Sequence, residues 1–228
     1  MTVNLKMLII QVSGMFLVCA LALFLAAGTV AWPAGWLFLV LFFGSFLALI
    51  LWLMKHNPGL LMERLTGFGN PGQKSWDKVF YVFLTASFFA WWILMPLDGV
   101  RFHWSQMPEL LQVIGVILLL CSFYFLFLTF KENSFLSPVV RLQTERGQTV
   151  VSTGPYHYMR HPMYAACAIF VIGSALLLGS WYGLLGGLIF MLGLAIRAVL
   201  EERTLREELQ GYDVYMEKVR YRIIPYVW

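Results

Sequence analysis

Residues 160–202 read RHPMYAACAIFVIGSALLLGSWYGLLGGLIFMLGLAIRAVLEE. Two apolar runs, Met163–Leu178 and Tyr182–Leu200, are separated there only by Gly179-Ser180-Trp181. Runs joined this tightly fold back on each other as a helical hairpin. They lack the period-two alternation that a membrane β-barrel strand requires. The hairpin returns Arg160, His161 and Pro162, at its start, to the same membrane edge as Arg197, Glu201 and Glu202, at its end.

The rest of the chain has the same character. Hydrophobic residues make up 60% and charged residues only 12%, with a mean hydropathy of +0.75. Soluble domains carry about 25% charged residues, so the composition is that of an integral membrane protein. The expected fold is all-α, with about six transmembrane helices: Met7–Val30, Trp36–Met54, Val79–Leu97, Leu110–Phe130 and the two runs of the hairpin. Pro33 and Gly35 break the first from the second, and Pro96, Asp98 and Gly99 end the third. Met7–Val30 is too long for the apolar core of a signal peptide and is expected to remain as a helix. Met163–Leu178 is short for an untilted span. The chain divides into a four-helix part, 1–130, and a part that carries the polar chemistry, 131–228, within one structural domain.

An even number of spans puts both termini on one side, and every one of the 16 Lys and Arg residues except Arg101 then falls on that side. Cytoplasmic loops carry such an excess, so both termini are expected in the cytoplasm, with a bacterial inner membrane as the location. The formal charge of +4 is therefore a topology signal, and no nucleic-acid partner is expected. Cys19, Cys121 and Cys167 lie singly in apolar runs, without metal-ligand spacing, and no metal is expected. His56, His103 and His157 are isolated. Gly183 and Gly187 let helix backbones approach closely. Asn57–Leu65 fits a short interfacial helix, and Gly67–Gly72 a turn. Leu205, Leu209, Tyr212, Met216 and Val219 follow helical spacing with charges between them, as in a cytoplasmic amphipathic segment that closes over the hairpin.

Two clusters carry chemistry. Gly154–Tyr164 is basic and aromatic, and Pro162 suits the first turn of a helix. The N–H groups there favour an anion, strengthened by Arg160 and His161. Tyr156, Tyr158 and Tyr164 offer flat faces and hydroxyls. An interfacial girdle contacting lipid phosphate accounts for the same residues. Arg197 and Glu201 are four apart on one helix face, which fits either a snorkelling arginine with its partner or a guanidinium fork held by a carboxylate to grip a planar anion. Glu202 points about 100° away.

The stretches Gln148–Tyr156, Arg160-His161-Pro162-Met163-Tyr164, Arg197-x-x-x-Glu201-Glu202, Gly211-Tyr212-x-x-Tyr215 and Arg220-x-Arg222-x-x-Pro225 resemble the isoprenylcysteine carboxyl methyltransferase family, whose wider relatives include the phospholipid N-methyltransferases. The resemblance covers residues 131–228. It implies an S-adenosyl-L-methionine-dependent methyltransferase, acting at the lipid bilayer on a small lipophilic acceptor such as the carboxylate of an isoprenylcysteine. By the family pattern Gln148, Val150, Val151 and Tyr156 line the adenosine, with Gln148 standing where a histidine is common. Arg160, His161 and Tyr164 hold the ribose or methionine part, and Glu202 takes the amino group. Arg197 and Glu201 stand at the acceptor as the catalytic pair, Glu201 serving either as base or to orient Arg197. NADPH-dependent membrane reductases share this C-terminal architecture, but they tend to have Asn after Arg-His-Pro and an acid after the Tyr, where this chain has Met163 and Ala165-Ala166-Cys167. A non-enzymatic transporter would need a polar line across several spans, and the apolar runs contain almost no ionisable groups.

Overall fold

A computed structural model of the protein describes residues 5–67, 69–70 and 72–228. Of the expected turn over Gly67–Gly72, Phe68 and Pro71 lie outside these. The helices are α1 (Leu5–Ala27), α2 (Pro33–His56), α3 (Pro58–Thr66), α4 (Ser75–Pro96), α5 (Glu109–Glu132), α6 (Pro162–Leu177), α7 (Trp181–Glu208) and α8 (Tyr212–Lys218). No strand occurs among the described residues. The protein is an all-α membrane protein. Its outer surface is apolar, with Ile10, Leu17, Leu25, Val40, Leu51, Leu110, Leu188 and Leu192 all exposed. In lipid that orientation costs nothing.

Among the described residues five helices, rather than six, are by themselves long and apolar enough to cross a membrane: α1, α2, α4 with its continuation to Arg101, α5 and α7. α6 has 16 residues, a rise of about 24 Å against about 30 Å of hydrocarbon. It is bound along its length to α5 instead. A Cβ on Gly115 would lie 2.5 Å from the Leu177 nitrogen and 2.8 Å from the Gly173 carbonyl oxygen, so the two backbones touch. Ser122 Oγ donates to the Ala166 carbonyl at 2.8 Å. Gly183 and Gly187 let the backbone of α7 pack closely on the side chains of Met95 and Val171. Between these helices lies an aromatic core containing Phe38, Trp91 and Trp92. Its indole N–H groups are satisfied by backbone, Trp91 on the Gly183 carbonyl at 2.7 Å and Trp92 on the Cys19 carbonyl at 3.1 Å, as a hydrocarbon environment demands.

Two expected boundaries move. Helical winding does not stop at Pro96, but widens into a π-helical turn over Leu97–Arg101. That turn presents Asp98, which is fully buried, to the start of α7. Its Oδ2 accepts from Ser105 Oγ at 2.6 Å, from Ser180 Oγ and from the Tyr182 amide at 3.2 Å. Ser180 in turn caps α7 by accepting from the Gly183 amide at 2.7 Å. Asp98 therefore supplies negative charge at a helix N-terminus, where unpaired N–H groups and the dipole favour it. α7 also continues past Leu200 to Glu208, so Leu205 lies within it, and Arg197, Glu201 and Glu202 occupy the helix interior. The short interfacial helix expected near residue 57 is α3, with Asn57 as its cap.

Asp98→Ala removes the acceptor for three donors and should cost about 1–3 kcal/mol. The expected result is a lower thermal unfolding midpoint in detergent, with ligand binding at the opposite end of the helices unchanged.

Candidate active site

The polar site lies at the end of the bundle where α4 begins and α7 runs on past the apolar region. Residues 133–153, between α5 and α6, have no regular structure apart from one 3-10 turn at Thr144–Arg146. Side chains hold this strap in place. Asn57 Nδ2 donates to Ser134 Oγ at 2.9 Å, and Arg64 Nη1 to the Leu136 carbonyl at 3.0 Å. Glu63 accepts from Arg141 through Nε at 2.9 Å and Nη2 at 2.6 Å, and also from Ser137 Oγ and Asn70 Nδ2. Burial pushes the Glu63 carboxyl up, but these donors outweigh it and hold its pKa below the ordinary value. Gln143, fully buried, donates to the Phe135 carbonyl at 2.7 Å, and its amide donates to Gln148 Oε1 at 2.8 Å.

At the start of α6 the C-terminal segment pairs with the backbone: the Arg160 amide donates to the Tyr221 carbonyl and the His161 amide to that of Arg222. The side chains there converge on Glu202. Its Oε1 receives Arg160 Nε at 2.6 Å and lies 3.2 Å from His161 Nε2, and its Oε2 receives Arg222 Nε at 2.8 Å. Arg160 also donates to the carbonyls of Val219 and Arg220. One buried carboxylate thus joins α6, α7 and the tail.

One turn away, Tyr164 Oη accepts from Arg197 Nη1 and donates to Glu201 Oε2, both at 2.9 Å. Arg197 and Glu201 are therefore linked through a phenol, not directly. The carboxylate that holds Arg197 is Asp77 of α4, 2.8 Å from Nε, while Nη2 donates to the Pro138 carbonyl at 3.0 Å. His161 lies parallel to the Tyr164 ring, with centroids 5.3 Å apart.

These groups surround a cleft that opens to solvent. Gln148, Val150, Val151, Tyr156, Arg160, His161, Tyr164, Arg197 and Glu201 all line it. Glu202 is not among the lining residues, and both its oxygens are met by Arg160, His161 and Arg222. The charge of Arg160 is likewise matched by Glu202. Glu201 lines the cleft with no guanidinium against it.

Four contributors were absent from the sequence reading of the site. Asn133 donates to Tyr156 Oη at 2.9 Å, and Tyr215 Oη donates to the Tyr156 carbonyl at 2.8 Å. Gln143 and Asp77 complete the set. Burial raises the phenols of Tyr156, Tyr212 and Tyr215, so they remain neutral hydrogen-bonding groups. Asp77 looks in sequence like an ordinary acid in the first turn of a helix.

Residues 110–210 match the phospholipid methyltransferase family. That stretch is thus similar to the isoprenylcysteine and phospholipid methyltransferase superfamily, to which this family belongs. It covers nearly all of α5, the strap, α6 and all of α7, and so includes every cleft residue named from sequence. Asp77, Tyr212, Tyr215 and Arg222 lie outside it. No curated protein matches the chain. Membrane methyl transfer is thereby favoured over nicotinamide-dependent reduction.

Because the folded-state pKa of Glu63 is lowered, its contribution to stability is present above the unfolded carboxyl value of about 4.3 and is lost as pH falls through the folded one. Glu63→Gln should therefore unfold at a lower temperature than the wild type at neutral pH. The gap between the two midpoints should close on acidification below about pH 4, as read in a thermal melt at each pH.

Proposed function

We propose that the protein transfers a methyl group from S-adenosyl-L-methionine to a small lipophilic acceptor that carries a carboxylate, of the isoprenylcysteine kind. The observation that carries this is the Arg197 guanidinium. It is buried at the cleft wall and tied to Asp77, Tyr164 and the Pro138 carbonyl. A guanidinium has five N–H groups. Three are engaged, and two remain to hold a planar anion.

The cleft chemistry fits the cofactor. Val150, Val151 and Tyr156 offer an apolar and aromatic seat for a nucleoside, with Gln148, His161 and Tyr164 beside it for hydroxyls. Glu201 suits a cationic group, since no guanidinium neutralises it. When bound, the cofactor supplies an electrophilic methyl on a sulfonium. A carboxylate acceptor needs no proton removed, so the task of the residues is alignment and exclusion of water. The membrane edge suits both partners, because the cofactor is water-soluble and the acceptor lipophilic. Both termini then lie in the cytoplasm, since α6 also returns the chain to the far end and the chain ends, the α2–α4 and α5–α6 connections with the helix ends beside them, and the end of α7 hold every Lys and Arg except Arg101, which binds the Leu25 carbonyl at the opposite end.

A second acceptor class is favoured by one observation: Glu201, free of any guanidinium, can take a proton from an amine headgroup. The two are separated by incubating the protein with tritiated-methyl S-adenosyl-L-methionine, native membrane lipids and prenylcysteine analogues, and identifying the labelled product by mass. The expected product is a base-labile methyl ester. Arg197→Ala should lower the rate at least about 100-fold while S-adenosyl-L-methionine still binds by calorimetry. A labelled amine would select the second class. Absence of cofactor binding to the wild type would remove methyl transfer altogether.

A further inference from the structure

Asp77 belongs to none of the stretches that line the cleft, yet it is fully buried and joins three elements. Its Oδ1 accepts from Arg197 Nε at 2.8 Å. Its Oδ2 accepts from Gln73 Nε2 at 2.9 Å and from the Val140 amide at 2.8 Å. The Lys74 amide donates to the Val140 carbonyl at 3.0 Å, closing the same junction through backbone. One carboxylate therefore fixes both the Arg197 side chain and the part of the strap that roofs the cleft.

The direction of the remaining Arg197 donors follows from this. Nε is tied to Asp77, and one N–H on each of Nη1 and Nη2 is taken by Tyr164 and by the Pro138 carbonyl. The plane of the guanidinium is thereby set before any ligand arrives. Glu201, four residues along the same helix, reaches Arg197 only through the Tyr164 hydroxyl, so it does not orient the fork. Val140, Tyr164 and Arg197 all line the cleft, which puts the two free N–H groups beside the space an acceptor head would fill.

We propose that Asp77 is the positioning residue for acceptor recognition: it holds Arg197 so that the two unclaimed N–H groups meet a carboxylate as a pair. The inference rests on the acceptor role given to Arg197 above. Its ligand class is an anionic, planar head on an apolar tail, and its specificity is for the free acid over the ester. The same arrangement lets a methylated product leave, because an ester has lost the charge that the fork recognises.

The test needs no cofactor. Binding of N-acetyl-S-farnesyl-L-cysteine and of its methyl ester is measured calorimetrically on the detergent-solubilised full chain. The wild type should bind the acid about tenfold more tightly than the ester. Asp77→Asn, which keeps the shape but not the charge, should bring the acid down to the affinity of the ester and leave the ester unchanged. Equal weakening of acid and ester marks a merely structural role and overturns the proposal. A preference that survives in Asp77→Asn, or is absent from the wild type, also overturns it. Should Asp77→Asn fail to fold, Gln73→Met removes the amide donor to Oδ2 and keeps the Asp77 charge, losing besides only the acceptor for the Gly69 amide. It should cut the acid preference about threefold, and an unchanged preference overturns the proposal. Calorimetry with S-adenosyl-L-methionine on the same wild-type sample separates the two levels. Its failure removes methyl transfer and leaves the acid–ester discrimination to be judged on its own.

Discussion

The carboxylate of Glu202, sealed at the membrane edge, is the constraint from which the site follows. A carboxylate in such a place is tolerated only if its charge and lone pairs are met. Arg160 and His161 from the start of α6, with Arg222 from the tail, meet them. Breaking a buried pair of this kind typically costs about 3–5 kcal/mol, so three elements are held in a single arrangement. α6 begins where Arg160 and His161 meet Glu202. The tail must fold back past Val219, which brings Tyr212 and Tyr215 to the cleft wall.

A second buried pair, Asp77 with Arg197, does the same for the other wall. It draws the first turn of α4 and the strap against α7. The cleft thus lies between two ionic junctions, Asp77 with Arg197 and Glu202 with Arg160 and Arg222. What remains open to a ligand is one carboxylate, Glu201, and the unclaimed edge of one guanidinium. A cationic donor and an anionic acceptor are the complement of that pair, and bringing them together cancels charge, which a poorly solvated site favours.

Much of this was legible because it is local. Pro162 marks the first turn of α6, Gly179-Ser180-Trp181 forces the hairpin, and Ser180 caps α7 as its residue type suggests. The cleft residues from Gln148 to Glu201 were named from motifs that reappear as one surface. The failures have physical causes. Glu201 and Glu202 are adjacent, so spacing alone cannot say which lines the cleft and which meets Arg222 from the tail. Asp77 lies 120 residues from its partner and resembles any acid near a helix start. Gln143 sits in a strap with no periodicity, where a buried amide looks like a loop residue. Asp98 was read as a helix breaker because its task, serving the N-terminus of a distant helix, depends on a π-turn that no local signal encodes.

The most direct measurement is an experimental structure of the protein with S-adenosylhomocysteine. The nucleoside should lie in the cleft against Val150, Val151 and Tyr156, with Glu202 still bound by Arg160, His161 and Arg222. A ligand seated elsewhere, or a Glu202 released from those partners to hold it, would contradict the account.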